Sequence, residues 1–166
     1  MEQEQKRKLY FRYNKDTGKF LNTGMITEEK AQEWIYWTAT PIPDEIDKNY
    51  AYWDGEKWNE DSEHKLQDKK DRAINQLWSN YKAFQRRYVD PEDLTLATTL
   101  SLANKPKGTA VRNWVFQLWD AYYIVKARIE NATTVDVIEN IDLAVTIGAP
   151  PYTIKQLNEE AKELQQ

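Results

Sequence analysis

The segment Thr109–Glu130, TAVRNWVFQLWDAYYIVKARIE, decides the fold predicted for this chain. Its main apolar stripe recurs at alternating steps of four and three residues, which is the spacing of one α-helical face. The stripe consists of Val111, Val115, Leu118, Tyr122, Val125 and Ile129. Neither Pro nor Gly interrupts the segment, so it predicts a central helix about 30 Å long.

The remaining faces of this helix also carry large apolar side chains. They are Trp114, Phe116, Trp119, Tyr123 and Ile124. An apolar surface this wide indicates a helix that is covered from more than one side. Core packing is the simplest interpretation, and a partner groove or a sugar platform is the alternative.

Two long helices are expected before the central one. The first spans Ser62–Arg87, with a highly charged start and an apolar stripe that continues to Tyr88. The second opens at Asp90-Pro91, where Asp90 is the N-cap and Pro91 takes the first helical position. We expect it to stop at Asn104 and to be followed by a turn, 105–108. Short connections predict that the three helices pack as antiparallel neighbours.

Two shorter helices are expected after the central one. Val135–Thr146 is apolar at helical spacing, with Gly148 as its stop. Thr153 and Gln156 have the spacing of a capping box, which opens a last helix, Ile154–Leu164. Its narrow apolar stripe either docks on the bundle or binds a partner.

The N-terminal third predicts short strands and one helix. Residues 9–13 and 19–21 are expected to be strands, with turns at 14–18 and 22–24. Thr27 is the expected N-cap of a helix from Glu28 to about Trp37, with Ala31, Trp34 and Ile35 on one side. A Pro-containing extended connection then follows.

The strongest local signal is the pair of aromatic segments around Asp54-Gly55. An Asp-Gly pair favours a two-residue type I′ turn, in which both residues have positive φ. Cross-strand aromatic pairs stabilise such a hairpin. The hairpin aromatics are Tyr50, Tyr52, Trp53 and Trp58.

Composition limits the classes of function. The chain has 166 residues, 40% hydrophobic residues, seven Trp and no Cys. Disulfides and Cys-based zinc or redox sites are therefore excluded. The formal charge of −4 argues against a general nucleic-acid binder. No apolar run predicts a membrane helix or a signal peptide, and the lack of Cys fits a protein made in a cytoplasm.

The sequence offers few residues for catalysis. His64 is the single histidine and is expected to be solvated, and neither a nucleophile elbow nor a phosphate-binding loop occurs. Asp54, Glu56 and Glu60 lie beside Trp53 and Trp58, which leaves glycoside hydrolysis or sugar binding open. The basic N-terminal cluster, from Lys6 to Lys19, is expected to be a solvated surface, with an acidic partner site as the alternative.

Two segments resemble bacteriophage tail fibre assembly proteins. YFRYNKDTGKFLNTGMIT, residues 10–27, contains the DTGKF turn of that family, and YAYWDGEKW, residues 50–58, contains its WDGEKW hairpin. IENATTVDVIENID and the following GAPPYT are similar to the ends of small phage tail accessory proteins. The resemblance does not extend over residues 90–124.

This resemblance implies a chaperone that binds the C-terminal part of a trimeric fibre during folding, without enzymatic activity. The chain would act in the host cytoplasm during assembly or be retained in the virion tail. A permanent subunit of a tail, connector or baseplate is the first alternative, and a carbohydrate-binding domain is the second. No cofactor, metal, nucleic acid or membrane is expected to bind.

The predicted fold is therefore α+β. A small β-rich module, 1–61, precedes a helical domain, 62–147, and a C-terminal helical segment, 148–166. Partner binding is predicted for the surplus aromatic residues, with core packing as the alternative for each of them. They are Tyr50, Tyr52, Trp53, Trp58, Trp114, Trp119 and Tyr123.

Overall fold

A computed structural model describes residues 7–33 and 36–163. It confirms the α+β class, with short antiparallel strands followed by helices. The contacts divide the chain into two compact units, 1–67 and 68–166. The predicted boundaries at 61 and 147 remain predictions. The elements, in chain order, are β1 Lys8–Tyr13, β2 Phe20–Ile26, α1 Glu28–Glu33, β3 Trp37–Thr38, β4 Ala51–Trp53, β5 Trp58–Glu60, α2 Ser62–Tyr88, α3 Pro91–Leu102, α4 Pro106–Glu130, α5 Val135–Glu139 and α6 Ile154–Lys162.

The first unit is built on two small antiparallel sheets. One has the strand order β2-β1-β3, and β4 and β5 form the other. A β-bridge between Lys19 and Tyr52 joins their ends. Phe11, Ile42, Ala51 and Trp58 are the buried centre of its core. The Trp58 indole N–H donates to the Thr40 carbonyl at 2.9 Å, so this ring is buried without losing its hydrogen bond.

The predicted turn at 22–24 is wrong, because β2 continues through these residues to Ile26. Thr23 pairs with Phe11 and Gly24 with Tyr10 across the sheet. The long partner strand thus overrides the local turn preference of Asn-Thr-Gly. A Cβ on Gly24 would lie 2.9 Å from the Trp37 ring, so glycine here permits close packing.

The predicted helix from Glu28 to Trp37 is also too long. Its described part ends at Glu33, and Trp37 lies in β3, where it pairs with Arg12 of β1. Pairing with an existing strand satisfies backbone groups that a helix end would leave open. Trp34 and Ile35 lie outside the described residues.

The Asp54-Gly55 turn has a different geometry from the predicted one. Trp53 pairs with Trp58, which makes the loop four residues long. Gly55 has a φ of 108°, but Asp54 is not among the described residues with positive φ, so the type I′ assignment is wrong. Contact between the two Trp rings, with centroids 5.4 Å apart, favours this register.

The second unit has α4 at its centre, as predicted. The buried side of α4 includes Val111, Val115, Leu118, Tyr122 and Ile129, and Val125 is half-buried. Helix α2 also matches its prediction within one residue. Helix α3 packs along α4, and a Cβ on Gly108 would lie 2.3 Å from the Leu100 Cβ. Glycine at 108 therefore lets the two helices approach closely.

The predicted turn 105–108 is wrong, since α4 begins at Pro106. Helix α3 ends at Leu102, two residues before the predicted stop. The Asn104 N–H donates to the Ser101 carbonyl and the Lys105 N–H to that of Leu100, while Asn104 has a φ of 57°. This is a Schellman motif, which closes α3 and turns the chain into α4 within three residues.

Two caps are confirmed and one helix is much shorter than predicted. Asp90 and Thr153 each form the capping box that opens α3 and α6. Helix α6 packs against α3 and α4. Helix α5 ends at Glu139, not Thr146, because Asn140 closes it with a bond from its backbone N–H to the Asp136 carbonyl. Gly148 is therefore not a helix stop, and Leu164 lies outside the described residues.

Candidate functional site

Three of the seven aromatics predicted to bind a partner are buried. Tyr50 and Trp58 belong to the interior of the first unit, with 6% and 4% of their surface exposed. Trp114 is 4% exposed in the second unit, and its indole N–H donates to the Gly148 carbonyl at 2.8 Å. These three side chains therefore offer a partner almost no surface in this conformation.

Tyr52 and Trp53 are half-buried and line a pocket of about 460 Å³ within the first unit. The pocket lies between the turn after β1 and the loop of the β4–β5 hairpin. Its aromatic residues are Tyr13, Tyr52 and Trp53. The other lining residues are Lys15, Asp16, Thr17, Gly18, Asp54 and Gly55. We call this site the two-turn pocket.

The two turns are held together by their backbones. The Trp53 N–H donates to the Gly18 carbonyl at 2.8 Å, and the Lys19–Tyr52 bridge extends this contact. Gly18 has a φ of 68°, and a Cβ there would lie 2.2 Å from the Trp53 carbonyl oxygen. Glycine is thus required twice, by the φ angle and by the closeness of the hairpin.

Asp54 supplies a fixed negative charge at the pocket. One of its carboxylate oxygens accepts the N–H groups of Glu56 and Lys57, each at 2.9 Å. The other oxygen accepts the Asn59 side-chain amide at 2.7 Å. The hydrogen bonds from the backbone N–H groups of Lys57 and Glu56, and then the one from the Asn59 side chain, lower the pKa of Asp54 to about 2. The group is therefore ionised at neutral pH.

Tyr123 lies on a different surface, the outer side of α4. It is 61% exposed, and Phe116 and Ile124 on the same helix are 52% and 58% exposed. The Arg112 guanidinium lies 5.1 Å from the centre of the Phe116 ring, a cation–π contact. We call Phe116, Tyr123 and Ile124 the outer α4 face. Phe116 and Tyr123 are two turns apart, about 10 Å along the axis.

Trp119 connects this helix with α2. Its indole N–H donates to the Gln85 side chain at 2.8 Å, and its ring centroid lies 5.0 Å from that of Trp78. Trp78 is 43% exposed and has the Lys82 ammonium 5.4 Å from its ring centre. Trp119 therefore has a packing partner and a hydrogen bond, and only part of its surface is available to another molecule.

The described parts of the chain offer little for metal binding or for crossing a membrane. Residues 7–33 and 36–163 contain no group of three or more His, Asp or Glu that can hold a metal ion. His64 is exposed, with its ring 5.7 Å from that of Tyr50. Among the described helices, none combines the length and the apolar character needed to cross a bilayer.

Comparison with models of protein families, with curated proteins and with solved structures gives no match for this chain.

The sequence predicts Tyr13 and Asp16 only as parts of a strand and a turn and does not join them to the hairpin. Phe116 and Ile124 are recognised as extra apolar residues of the central helix, with partner binding only as the alternative to core packing, and Trp78 is not singled out. The DTG and WDG turns were both visible as glycine turns flanked by aromatics. Their meeting follows from sheet packing, which neither motif encodes alone.

Proposed function

We propose that this chain is a non-enzymatic protein-binding factor that assists the assembly of a bacteriophage tail fibre. The observation that carries the binding role is the outer α4 face, where three large apolar side chains are each more than half exposed. Exposed apolar groups that lie close together are typical of interaction surfaces. The fibre as partner rests on the likeness of residues 10–27 and 50–58 to tail fibre assembly proteins.

The outer α4 face suits protein contact better than catalysis. It offers Phe and Tyr rings, which are large and lose little conformational entropy on binding. Full burial of such a side chain contributes about 1.5–3 kcal/mol, and because these rings are already about half-buried, a partner adds roughly half of that before the costs of association. None of its three residues provides an acid–base pair, so the simplest role for this face is to cover an apolar surface of a partner.

A factor of this kind would protect a trimeric fibre while its strands are unpaired. Exposed strand edges and apolar patches aggregate before a trimer closes. Transient binding to such patches needs an apolar surface that stays soluble alone. The formal charge of −4 favours that solubility.

The test is co-expression with the C-terminal part of the trimeric fibre from the same phage. Soluble trimer is measured by size-exclusion chromatography with light scattering. We expect more trimer with the chain than without it, and a loss of this gain in the triple variant F116S/Y123S/I124S. Val137→Ser is the matched control, because Val137 is also exposed, at 48%, but lies on α5.

Circular dichroism verifies that both variants keep their helices. Equal trimer yields with and without the chain would refute the proposed function. Mass spectrometry of purified phage particles then distinguishes the two versions of the proposed function. Presence at a fixed ratio favours a permanent tail subunit, and absence favours a transient chaperone.

A further inference from the structure

We infer that the two-turn pocket is a binding site for a neutral saccharide, of the size of one or two sugar rings. This site lies wholly within the first unit, whereas the outer α4 face belongs to the second. The inference is therefore independent of the proposed role in fibre assembly.

The pocket walls are pre-organised by short-range hydrogen bonds. The Asn14 side-chain oxygen accepts the N–H groups of Asp16 and Thr17 at 2.9 and 3.0 Å. The Gly18 N–H donates to the Asn14 carbonyl at 2.7 Å, which closes the first turn. The Asp54 carboxylate closes the second turn in the same manner. Binding at this site costs little conformational entropy of the protein, because the walls are already ordered.

Aromatic rings supply the apolar part of the lining. The rings of Tyr13 and Trp53 lie 6.2 Å apart, inclined by only 31°, and Trp53 rests edge-on against buried Trp58. The core thus supports Trp53, which is half-buried and lines the pocket. A sugar ring has one face of C–H groups, and flat aromatic surfaces that are partly apolar and partly polar suit such a face.

Hydroxyl groups of a sugar need both donors and acceptors around the rings. Asp16 and Asp54 offer carboxylate acceptors, Lys15 an ammonium donor and Thr17 a hydroxyl that does both. A small number of placed polar groups around an apolar floor is the usual composition of a small-molecule site. The volume of about 460 Å³ also lies in the range of such sites.

The charges of the lining disfavour an anionic ligand. Two carboxylates face one ammonium group, so the lining has an excess negative charge. Phosphates and acidic sugars would be repelled. A ligand ammonium, such as a lysine side chain of a peptide, is the competing occupant, and the experiment distinguishes it by the effect of salt.

The test is to titrate the full chain with lactose, maltose, cellobiose and N,N′-diacetylchitobiose at millimolar concentrations. Binding is measured by calorimetry and by tryptophan fluorescence. We expect saturable binding of at least one disaccharide that is unchanged by added salt, since the ligand is neutral. Trp53→Ala should weaken it tenfold or more. Trp78→Ala removes an exposed tryptophan outside the pocket and should leave it unchanged.

A second pocket variant keeps the test valid in the event that Trp53→Ala does not fold. Asp16→Asn changes an exposed side chain and keeps its size, and it should weaken binding by about tenfold, the value of one charge-assisted hydrogen bond. No saturable binding to any of the four sugars would overturn the inference. So would sugar binding that survives both pocket substitutions, or salt-sensitive binding of a lysine peptide or tetramethylammonium without any sugar binding.

Discussion

The start of α4 depends on a carboxylate supplied by another helix. Lys105 is its N-cap residue and makes no capping bond with its side chain. Glu160 of α6 lies only 3% exposed, and its two carboxylate oxygens accept the N–H groups of Lys107 and Gly108 at 3.2 and 3.0 Å. This contact satisfies two backbone donors and places a negative charge at the positive end of the helix.

We predict that Glu160→Ala lowers the free energy of unfolding of the second unit by about 2–3 kcal/mol. Hydrogen bonds to a charged group contribute about 1.5–3 kcal/mol each, but two bonds to one carboxylate do not add fully. For a unit near 100 residues, such a loss lowers Tm by on the order of 10–20 °C. Glu160→Gln keeps one acceptor and should cost about half as much.

Thermal and urea unfolding followed by circular dichroism at the helical band measure this effect. Glu159→Ala is the matched control, since Glu159 is exposed on the same helix and should stay within about 0.5 kcal/mol of the parent. Amide exchange at Gly108 gives a local readout, and it should accelerate in Glu160→Ala. The capping argument is refuted if Glu160→Ala and Glu159→Ala unfold alike and Gly108 stays protected.

Two further predictions concern the close packing at Gly108 and the loss of stability at low pH. Gly108→Ala should destabilise the second unit by about 1–3 kcal/mol in urea unfolding, because its Cβ would meet Leu100 at 2.3 Å; Gly148→Ala has no atom within 4 Å and is the control. An equal effect of the two would contradict the packing argument. The stabilisation from ionised Asp54 should be complete above its ordinary pKa of 3.8 and be lost as the pH falls towards about 2. An NMR titration that gives Asp54 a pKa near 3.8 would show that its hydrogen bonds do not persist.

Much of the helical unit could be predicted because its signals are local. The stripe from Val111 to Ile129 fixes which side of α4 is buried, and the structure confirms it. The capping residues Asp90 and Thr153 mark the starts of two helices through bonds within a single turn. Such patterns need only neighbouring residues, so a single sequence contains them.

Two of the wrong predictions concern residues whose local structure a distant segment decided. Residues 22–24 have turn propensity, but β1 supplies a partner for them and makes them strand. Pro106 and Gly108 resemble a turn, but Glu160 provides the acceptors that let α4 begin there. The Asp54-Gly55 turn differs from these two, because the deciding contact is local: Trp53 pairs with Trp58, five residues along the chain, and this selects a longer loop than a type I′ turn.

The same contrast between local patterns and distant contacts applies to the candidate sites. The sequence by itself determined the α+β class, the central helix and the aromatic hairpin, because periodicity and turn residues act over a few positions. Only the tertiary structure decided that Tyr50, Trp58 and Trp114 are core while Phe116 and Tyr123 are exposed. It also brought two separate glycine turns together as one pocket. The physical reason is that burial depends on what packs against a side chain, and that partner lies far away along the chain.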